Sequence, residues 1–220
     1  MISQILEYGK GSQKSAHASA QDSVHGKGVA GMALKHAVLA ALLDGEYSGY
    51  QLAKAFDIGV ANFWHALPQQ LYAELTRLEA EGLVAGRQVV QETRPNKRLF
   101  HVTDAGLAEL ERFAAGSAKP SFIRDDLLVK VQAVDRIDAG PVIEQLDERA
   151  RIAAAKAEVL GKLLVRLRGD RDEADFLAHG TRIGPYLTCL RGLGFERETR
   201  EWCERIADVL RARVAAPQRP

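Results

Sequence analysis

The sequence contains few of the residues that mark secreted or membrane proteins. Only two of its 220 residues are cysteines, Cys189 and Cys203, as expected for a reducing compartment and a cytoplasmic protein. Their separation along one predicted helix is about 21 Å, which is too far for a disulfide. No apolar run is long enough to cross a bilayer, and no secretory signal follows the first basic residues.

The sequence also has no clear excess of either charge. Its formal net charge is +1, and residues 32–115 contain eight Lys and Arg against ten Asp and Glu. Many nucleic-acid-binding proteins have a strongly basic footprint instead. Any contact with nucleic acid must therefore come from a local basic patch.

Signals for enzymatic chemistry and metal binding are missing as well. The cysteines and the six histidines lack the spacing of a zinc site. Residues 26–31 (GKGVAG) match the GxGxxG pattern, but the polar residues before them cannot supply the buried strand that a dinucleotide site needs. Neither a nucleophile elbow nor a pair of catalytic carboxylates is recognisable. We expect a protein that is not an enzyme and that holds no metal or cofactor.

Regular patterns begin near residue 32. Residues 1–31 are rich in Gly, Ser, Ala, Gln and His, which predicts a disordered N-terminal extension, with Met32 as an alternative start. Helical patterns follow at 33–43, 49–56 and 68–81, then strand-like segments at 83–91 and 98–102, and a fourth helix from Thr103-Asp104 to about 115. This order of elements predicts a winged helix-turn-helix domain over residues 32–115.

The second half of the sequence has helical patterns throughout. A seam of small and apolar residues, spaced mostly by three and four, predicts a helix that packs along its length on another helix. The seam comprises Ile143, Leu146, Ala150, Ala153, Ala157, Leu160, Leu164 and Leu167. A last helix, from about Pro185 to Arg213, includes Trp202 and Ile206, which we expect to take part in dimerisation together with the seam. The seam suits either an intramolecular helical hairpin or a dimer interface, and we expect a flexible tail over residues 214–220.

Five stretches of the sequence resemble regulators of the PadR family. They are residues 32–57 (MALKHAVLAALLDGEYSGYQLAKAFD), 63–84 (FWHALPQQLYAELTRLEAEGLV), 94–110 (RPNKRLFHVTDAGLAEL), 121–135 (SFIRDDLLVKVQAVD) and 186–202 (YLTCLRGLGFERETREW). The resemblance implies a mainly α fold, in which a winged helix-turn-helix with a small β-hairpin wing is followed by an all-helical dimerisation and effector domain over residues 116–213. It also implies a homodimeric repressor that responds to a small aromatic or hydrophobic effector. Two DNA-binding domains related by a two-fold axis would read an inverted-repeat operator in double-stranded DNA.

The third helix is the candidate recognition helix. Leu71, Leu75 and Leu78 mark its buried face, so the opposite face is available to a major groove. The residues that face away or flank it are Gln69, Gln70, Tyr72, Ala73, Thr76, Arg77 and Ala80. A glutamine can bond adenine in two places, and Ala or Thr can contact a thymine methyl group. Arg77 and Tyr72 are candidates for phosphates or base edges, although a merely solvated polar face would have the same pattern.

Two further places are candidates for phosphate contacts. Arg94, Lys97 and Arg98 lie at the tip of the predicted hairpin, from which cations can reach phosphates or a minor groove. A solvated basic turn is the alternative. Ser48 begins the second helix, where it could let the free N–H groups hold a phosphate or could simply cap the helix.

Two other functions are compatible with these residues. The acidic balance of residues 32–115 would suit a winged-helix protein-interaction module, and a helical dimer could sequester a small molecule without binding DNA. The basic wing and the Gln/Thr face of the third helix favour DNA binding. The sequence identifies neither the effector nor the operator.

Overall fold

The computed structural model describes residues 29–56, 66–90, 96–118 and 124–216, with side chains from Leu34 onward. The chain divides into two compact units after Ala118, within the small-residue stretch 116–120 (GSAKP) that suits a linker. Within the described ranges, no helix is both long enough and apolar enough to span a membrane.

The first unit is a small three-stranded sheet surrounded by helices. In the described residues its elements are α1 (Val29–Leu42), β1 (Tyr47–Ser48), α2 (Gly49–Ala55), α3 (Pro68–Ala80), β2 (Val84–Val89), β3 (Lys97–Val102) and α4 (Asp104–Ala115). The strand order is β1-β3-β2 with antiparallel pairing. The β2–β3 ladder runs from Val84 opposite Val102 to Val89 opposite Lys97. This arrangement confirms the predicted winged helix-turn-helix with its hairpin wing.

One hydrophobic core holds the elements of the first unit together. The leucines predicted as the inner face of α3, Leu71, Leu75 and Leu78, are at most 1% exposed. They pack in one cluster with Val38 and Leu42 of α1. Burial of these side chains removes apolar surface from water, which fixes the rotation of α3 about its axis. The face opposite the leucines is therefore left to solvent.

Local capping determines where these helices begin. The Ser48 hydroxyl accepts a hydrogen bond from the Gln51 N–H (3.2 Å), and the Gln51 side chain accepts one from the Ser48 N–H (2.9 Å), which is a capping box. Pro68 occupies the first turn of α3, and the Thr103 hydroxyl caps α4 at Gly106. Gly82, at φ 72°, adopts the left-handed conformation that glycine allows and turns the chain from α3 towards β2.

The second unit is a helical hairpin with two short helices added. Its described elements are α5 (Asp126–Ala133), α6 (Gly140–Arg168), α7 (Glu173–His179) and α8 (Ile183–Ala215). Arg211 near the end of α8 pairs with Asp147 near the start of α6, whereas Cys189 near the start of α8 contacts the Leu160 carbonyl oxygen (3.6 Å). These contacts show that α6 and α8 run antiparallel. Both cysteines are free and buried in α8, as their spacing predicted.

The seam predicted on α6 is buried within this hairpin. Leu146, Ala150, Ala153, Leu160 and Leu164 are buried, and Ile143, Ala157 and Leu167 are half-buried. Leu146 and Ala150 share a cluster with Cys203, Ala207 and Leu210 of α8, against which Trp202 and Ile206 pack. The intramolecular hairpin that the sequence left open is therefore present, and α8 of the same chain covers the seam.

Several element boundaries differ from those predicted from the sequence. Residues 29–31 were expected to be disordered but are helical, and α8 continues to Ala215 rather than ending at 213. The two-residue strand β1 is too short to produce a periodic pattern. The seven-residue α7 was also missed, and its Phe176 ring packs on Tyr186 with ring centroids 5.0 Å apart. Residues 1–28 and 217–220, where most of the N-terminal extension and tail were predicted, lie outside the described residues.

Candidate nucleic-acid interface

The outer face of α3 is the centre of the candidate interface. All six α3 residues proposed from the sequence as DNA contacts are exposed: Gln69, Gln70, Tyr72, Ala73, Thr76 and Arg77. They share this face because the three buried leucines hold the opposite side of the helix in the core. The α3 face has the donors, acceptors and methyl groups with which a helix reads base edges in a major groove.

Some of the polar groups on this face already have partners within α3. The Gln70 side chain accepts a hydrogen bond from the Leu67 N–H (2.8 Å), which helps to close the N-terminus of the helix. The Thr76 hydroxyl donates to the Tyr72 carbonyl oxygen (3.0 Å), which leaves its methyl group to make apolar contacts. Gln69 makes no such bond within the described residues. The Gln69 amide therefore keeps its hydrogen-bonding groups available to a partner.

Tyr72 connects the two helices of the helix-turn-helix. Its ring lies so close to Gly49 that a Cβ there would come within 2.2 Å of a ring carbon. Because glycine has no Cβ, the ring can pack against the first residue of α2. This contact provides a structural reason for the glycine in the Ser48-Gly49-Tyr50 stretch, which no local sequence pattern indicated.

Arg77 pairs with two carboxylates, one on α3 itself and one just after the end of α3. Its guanidinium pairs with Glu74, and Nη1 donates to Glu81 Oε1 at 2.8 Å. The hydrogen bond to Glu74 is the main cause of a raised Arg77 pKa. Glu74 is buried, so the pair is partly shielded from solvent. Arg77 must exchange one of these partners before it can bind a phosphate.

The wing cations differ in their surroundings. Arg98 Nη2 donates to Glu79 Oε1 at 2.6 Å, whereas Lys97 makes no ion pair within the described residues. Both belong to β3, and with Gly86, Gln88 and Asn96 they line one shallow groove on the wing. Arg94, the third cation proposed from the sequence, lies outside the described residues.

A further ion pair on the sheet was missed by the sequence analysis. Arg87 of β2 donates from Nε to both Glu46 oxygens at 2.8 Å. His101 of β3 lies 3.6 Å from the same carboxylate. The Arg87 hydrogen bond is the main cause of a lowered Glu46 pKa. The pairing of β1 and β2 with β3 brings these residues together, and no local sequence pattern shows it.

Ser48 caps the N-terminus of α2. Both its hydroxyl and its N–H are engaged with Gln51, so the capping alternative is confirmed. The role of Ser48 in binding phosphate remains a prediction. In the part of the chain that the structure describes, no group of three or more His, Cys, Asp or Glu is placed to hold a metal ion.

Sequence comparisons identify the family. The profile of the PadR-like family of transcriptional regulators matches residues 38–112, and the profile "virulence activator alpha C-term" matches residues 123–211. The probable transcriptional regulator Rv1176c of Mycobacterium tuberculosis is 32% identical over 192 residues, which cover 81% of this chain and 98% of that protein. The chain belongs to the PadR-like family of transcriptional regulators.

Two solved structures of bacterial regulators have a similar fold. Bacillus subtilis PadR in complex with operator DNA is 26% identical, with a TM-score of 0.67, over 80% of this chain and 97% of that chain. The Vibrio cholerae virulence activator AphA is 24% identical, with a TM-score of 0.59, over 81% of this chain and 98% of that chain. This PadR-like protein is thus a transcriptional regulator rather than an enzyme, as predicted.

Proposed function

We propose that this PadR-like protein is a homodimeric repressor that binds an inverted-repeat operator in double-stranded DNA. The observation that carries the proposal is the exposed face of α3, together with Lys97 on the β2–β3 wing. The chain is also similar to a PadR crystallised with operator DNA. The repressor role is supported by a 26% identical relative, the negative transcriptional regulator PadR of Bacillus subtilis. Half-site centres are expected about one helical turn apart, or a multiple of it.

The proposed contacts divide into base-reading and phosphate-binding groups. Gln69, Ala73 and Thr76 lie along the exposed centre of α3 and would read base edges and thymine methyl groups. Gln70, Tyr72 and Arg77 flank this centre and would contact the DNA at its edges. Lys97 and Arg94 on the wing would neutralise phosphates, which positions the protein on the duplex without selecting its sequence.

Replacement of Lys97 by Ala tests the DNA-binding proposal. The variant should bind every duplex more weakly, and the slope of log affinity against log salt should shrink by about 0.9, because one phosphate contact is lost. Fluorescence anisotropy with DNA from upstream of the protein's own gene measures both quantities. Lys130→Ala, an equal charge change on α5 of the second unit, is the control and should leave the slope unchanged.

Failure of the wild-type protein to bind any of this DNA would contradict the proposal. That result would favour the protein-interaction module, which the acidic balance of residues 32–115 also suits. Wild-type binding with an unchanged slope for Lys97→Ala would remove the wing lysine from the interface, while leaving α3 in it.

We place the dimer contacts on the outer surface of the helical hairpin. The seam residues are covered by α8 of the same chain, so they would support the dimer indirectly by holding α6 and α8 together. Large apolar side chains on the outside of these helices remain exposed: Ile152, Val165, Leu187, Leu190, Phe195 and Val209. A contiguous patch of such side chains would mark a surface that another protein covers. A second copy of the chain is the proposed occupant.

We further propose that a small aromatic or hydrophobic effector releases the repressor. Bacillus subtilis PadR has been crystallised with p-coumaric acid, and that structure is 24% identical to this chain with a TM-score of 0.61. An effector can lower DNA affinity only by binding the free protein more tightly than the DNA-bound protein.

A further inference from the structure

One carboxylate oxygen joins the recognition helix to both strands of the wing. Glu79 Oε1, in the last turn of α3, accepts a hydrogen bond from the Gly86 N–H of β2 at 3.0 Å and one from Arg98 Nη2 of β3 at 2.6 Å. The Glu79 side chain is only 27% exposed, so water and salt screen its charge less than that of a fully exposed group. We call Glu79, Gly86 and Arg98 the wing clamp.

The clamp holds the Arg98 guanidinium from two sides. Besides the bond to Glu79, the guanidinium carbon lies 5.7 Å from the centroid of the Phe100 ring, within the range of a cation–π interaction. Phe100 itself packs partly buried against the core of the first unit. Although the Arg98 side chain is 56% exposed, its guanidinium would give up a carboxylate and a ring contact on turning fully to a DNA phosphate.

Gly86 provides the space that the clamp needs. A Cβ at this position would lie 2.5 Å from Arg98 Nε, 2.6 Å from Glu79 Oε1 and 3.0 Å from Phe100 Cε1. The first two atoms belong to the far ends of flexible side chains, which can move aside at little cost to the fold, whereas the Phe100 ring would have to shift by a few tenths of an ångström. An alanine at position 86 would thus open the clamp without changing the charge of the protein.

Lys97 and Arg98 are adjacent cations that differ in their ion pairing. Successive side chains of a strand point to opposite faces, and only Arg98 has an acidic partner among the described residues. Hairpin tips with several cations are usually interpreted as a single basic patch. In this wing Lys97 is half-buried without an ion pair among the described residues, whereas the more exposed Arg98 is paired with Glu79.

We propose that Glu79 is a specificity-determining positioning residue, which keeps Arg98 off the DNA backbone and holds the wing against α3. Phosphate contacts strengthen binding to every sequence equally, so withholding one weakens binding to all DNA, and the preference for the operator comes from the wing that Glu79 holds in place. A wing fixed in advance loses less conformational freedom when the operator docks. The inference rests on the proposed function, since it requires that the first unit bind DNA.

The test compares salt slopes for operator and unrelated duplexes. Arg98→Ala should retain the wild-type slope while lowering operator affinity about three- to tenfold, because the wing loses an anchor. Lys97→Ala should shrink the slope by about 0.9. Glu79→Gln and Gly86→Ala should both release Arg98, steepen the slope by up to about 0.9 and bind unrelated DNA about three- to tenfold more tightly. The ratio of operator affinity to unrelated-DNA affinity should fall in both.

Three controls separate the clamp from general effects. Gly86→Ala leaves every charge in place, so a steeper slope in this variant cannot come from net charge. Glu79→Gln combined with Arg98→Ala should return to the slope of Arg98→Ala alone, because no arginine remains to be released. Glu111→Gln, an equal charge change at an exposed residue of α4, should leave the specificity ratio unchanged. Circular dichroism establishes that each variant is folded.

Two results would overturn the inference while leaving the proposed function intact. The first is a slope that shrinks as much in Arg98→Ala as in Lys97→Ala, which would make Arg98 an ordinary phosphate contact. The second is an unchanged slope and specificity ratio in both Glu79→Gln and Gly86→Ala. Wild-type protein that binds no operator DNA would overturn the proposed function and this inference with it.

Discussion

At the scale of single residues, arginines on the surface of the first unit have nearby carboxylates. Arg77 pairs with Glu74 and Glu81, Arg87 pairs with Glu46, and Arg98 pairs with Glu79. The near-neutral composition of this unit thus includes acidic residues that pair with its arginines. A count of charges in the sequence does not show how many cations of such a surface are available to bind DNA, because the count does not distinguish paired from available cations.

The carboxylate of Glu109 provides a pH-dependent test at this scale. Lys35 Nζ lies 2.5 Å from it, Arg112 Nη2 2.6 Å and His36 Nε2 3.1 Å. These contacts lower the Glu109 pKa from 4.5 to about 2, and the hydrogen bond from Lys35 has the largest effect. Between these values the unfolded chain binds the proton and the folded protein does not, so the stabilising contribution is complete above 4.5 and is lost as the pH falls towards 2.

Glu109→Gln should therefore remove part of the acid sensitivity of the protein. Urea unfolding at a series of pH values from 7 to 2 should show a shallower loss of unfolding free energy for the variant than for the wild type below pH 4.5. Glu111→Gln, on the same helix but exposed, should follow the wild-type curve. Identical curves for wild type and Glu109→Gln would show that the cluster contributes no stability.

At the scale of elements, the helical hairpin of the second unit depends on its buried seam. Leu160 is 2% exposed, and the Leu160 carbonyl oxygen is in contact with Cys189 of α8. Val165 lies five residues further along α6 and is 56% exposed. The two positions therefore separate packing within one chain from contact with a second copy.

Leu160→Asp and Val165→Asp should fail in different ways. An aspartate at 160 would be buried without a partner and should lower the unfolding free energy by about 3 to 5 kcal/mol, because its charge loses hydration. An aspartate at 165 should leave the hairpin folded and shift the protein from dimer to monomer. Thermal unfolding with light scattering measures both effects. Leu160→Asp with wild-type stability would contradict the buried seam, and a stable Val165→Asp dimer would move the interface elsewhere.

The elements themselves were largely predictable, and their partners were not. The Pro68 start of α3, the Thr103 cap of α4 and the heptad spacing from Leu146 to Leu164 are local signals, so these helices were located closely. The two-residue β1 exists only because β3 pairs with it. The partner of the seam was undetermined, since the same spacing serves a helix of the same chain or of another one.

At the scale of the whole molecule, the repressor hypothesis makes a thermodynamic prediction. If an effector releases the protein from its operator, it must bind the free protein more tightly than the DNA-bound protein, by the same factor by which it weakens DNA binding. The reciprocity follows from linkage and does not depend on where the effector binds. A tenfold loss of operator affinity thus requires a tenfold difference between the two effector affinities.

Calorimetry with p-coumaric acid as the probe tests this prediction. Titration into the free protein and into the protein–operator complex should give two dissociation constants, whose ratio equals the change in operator affinity measured by anisotropy. Benzoic acid at the same concentration controls for a general effect of aromatic acids. Equal affinities in the two titrations would exclude induction by p-coumaric acid, and binding to the free protein without any effect on DNA would favour a sequestering role.

By itself, the sequence determined the order of helices and strands, the winged-helix class and the outward face of α3, because periodicity and capping act over a few neighbouring residues. Only the tertiary structure decided that α8 covers the seam and that Arg98 is bound to Glu79. These contacts join residues far apart in the chain: the first depends on how α8 folds back along α6, and the second on how the wing folds back along α3. The location of a candidate DNA surface is thus a local property of this sequence, whereas the cations available on it are a property of the fold.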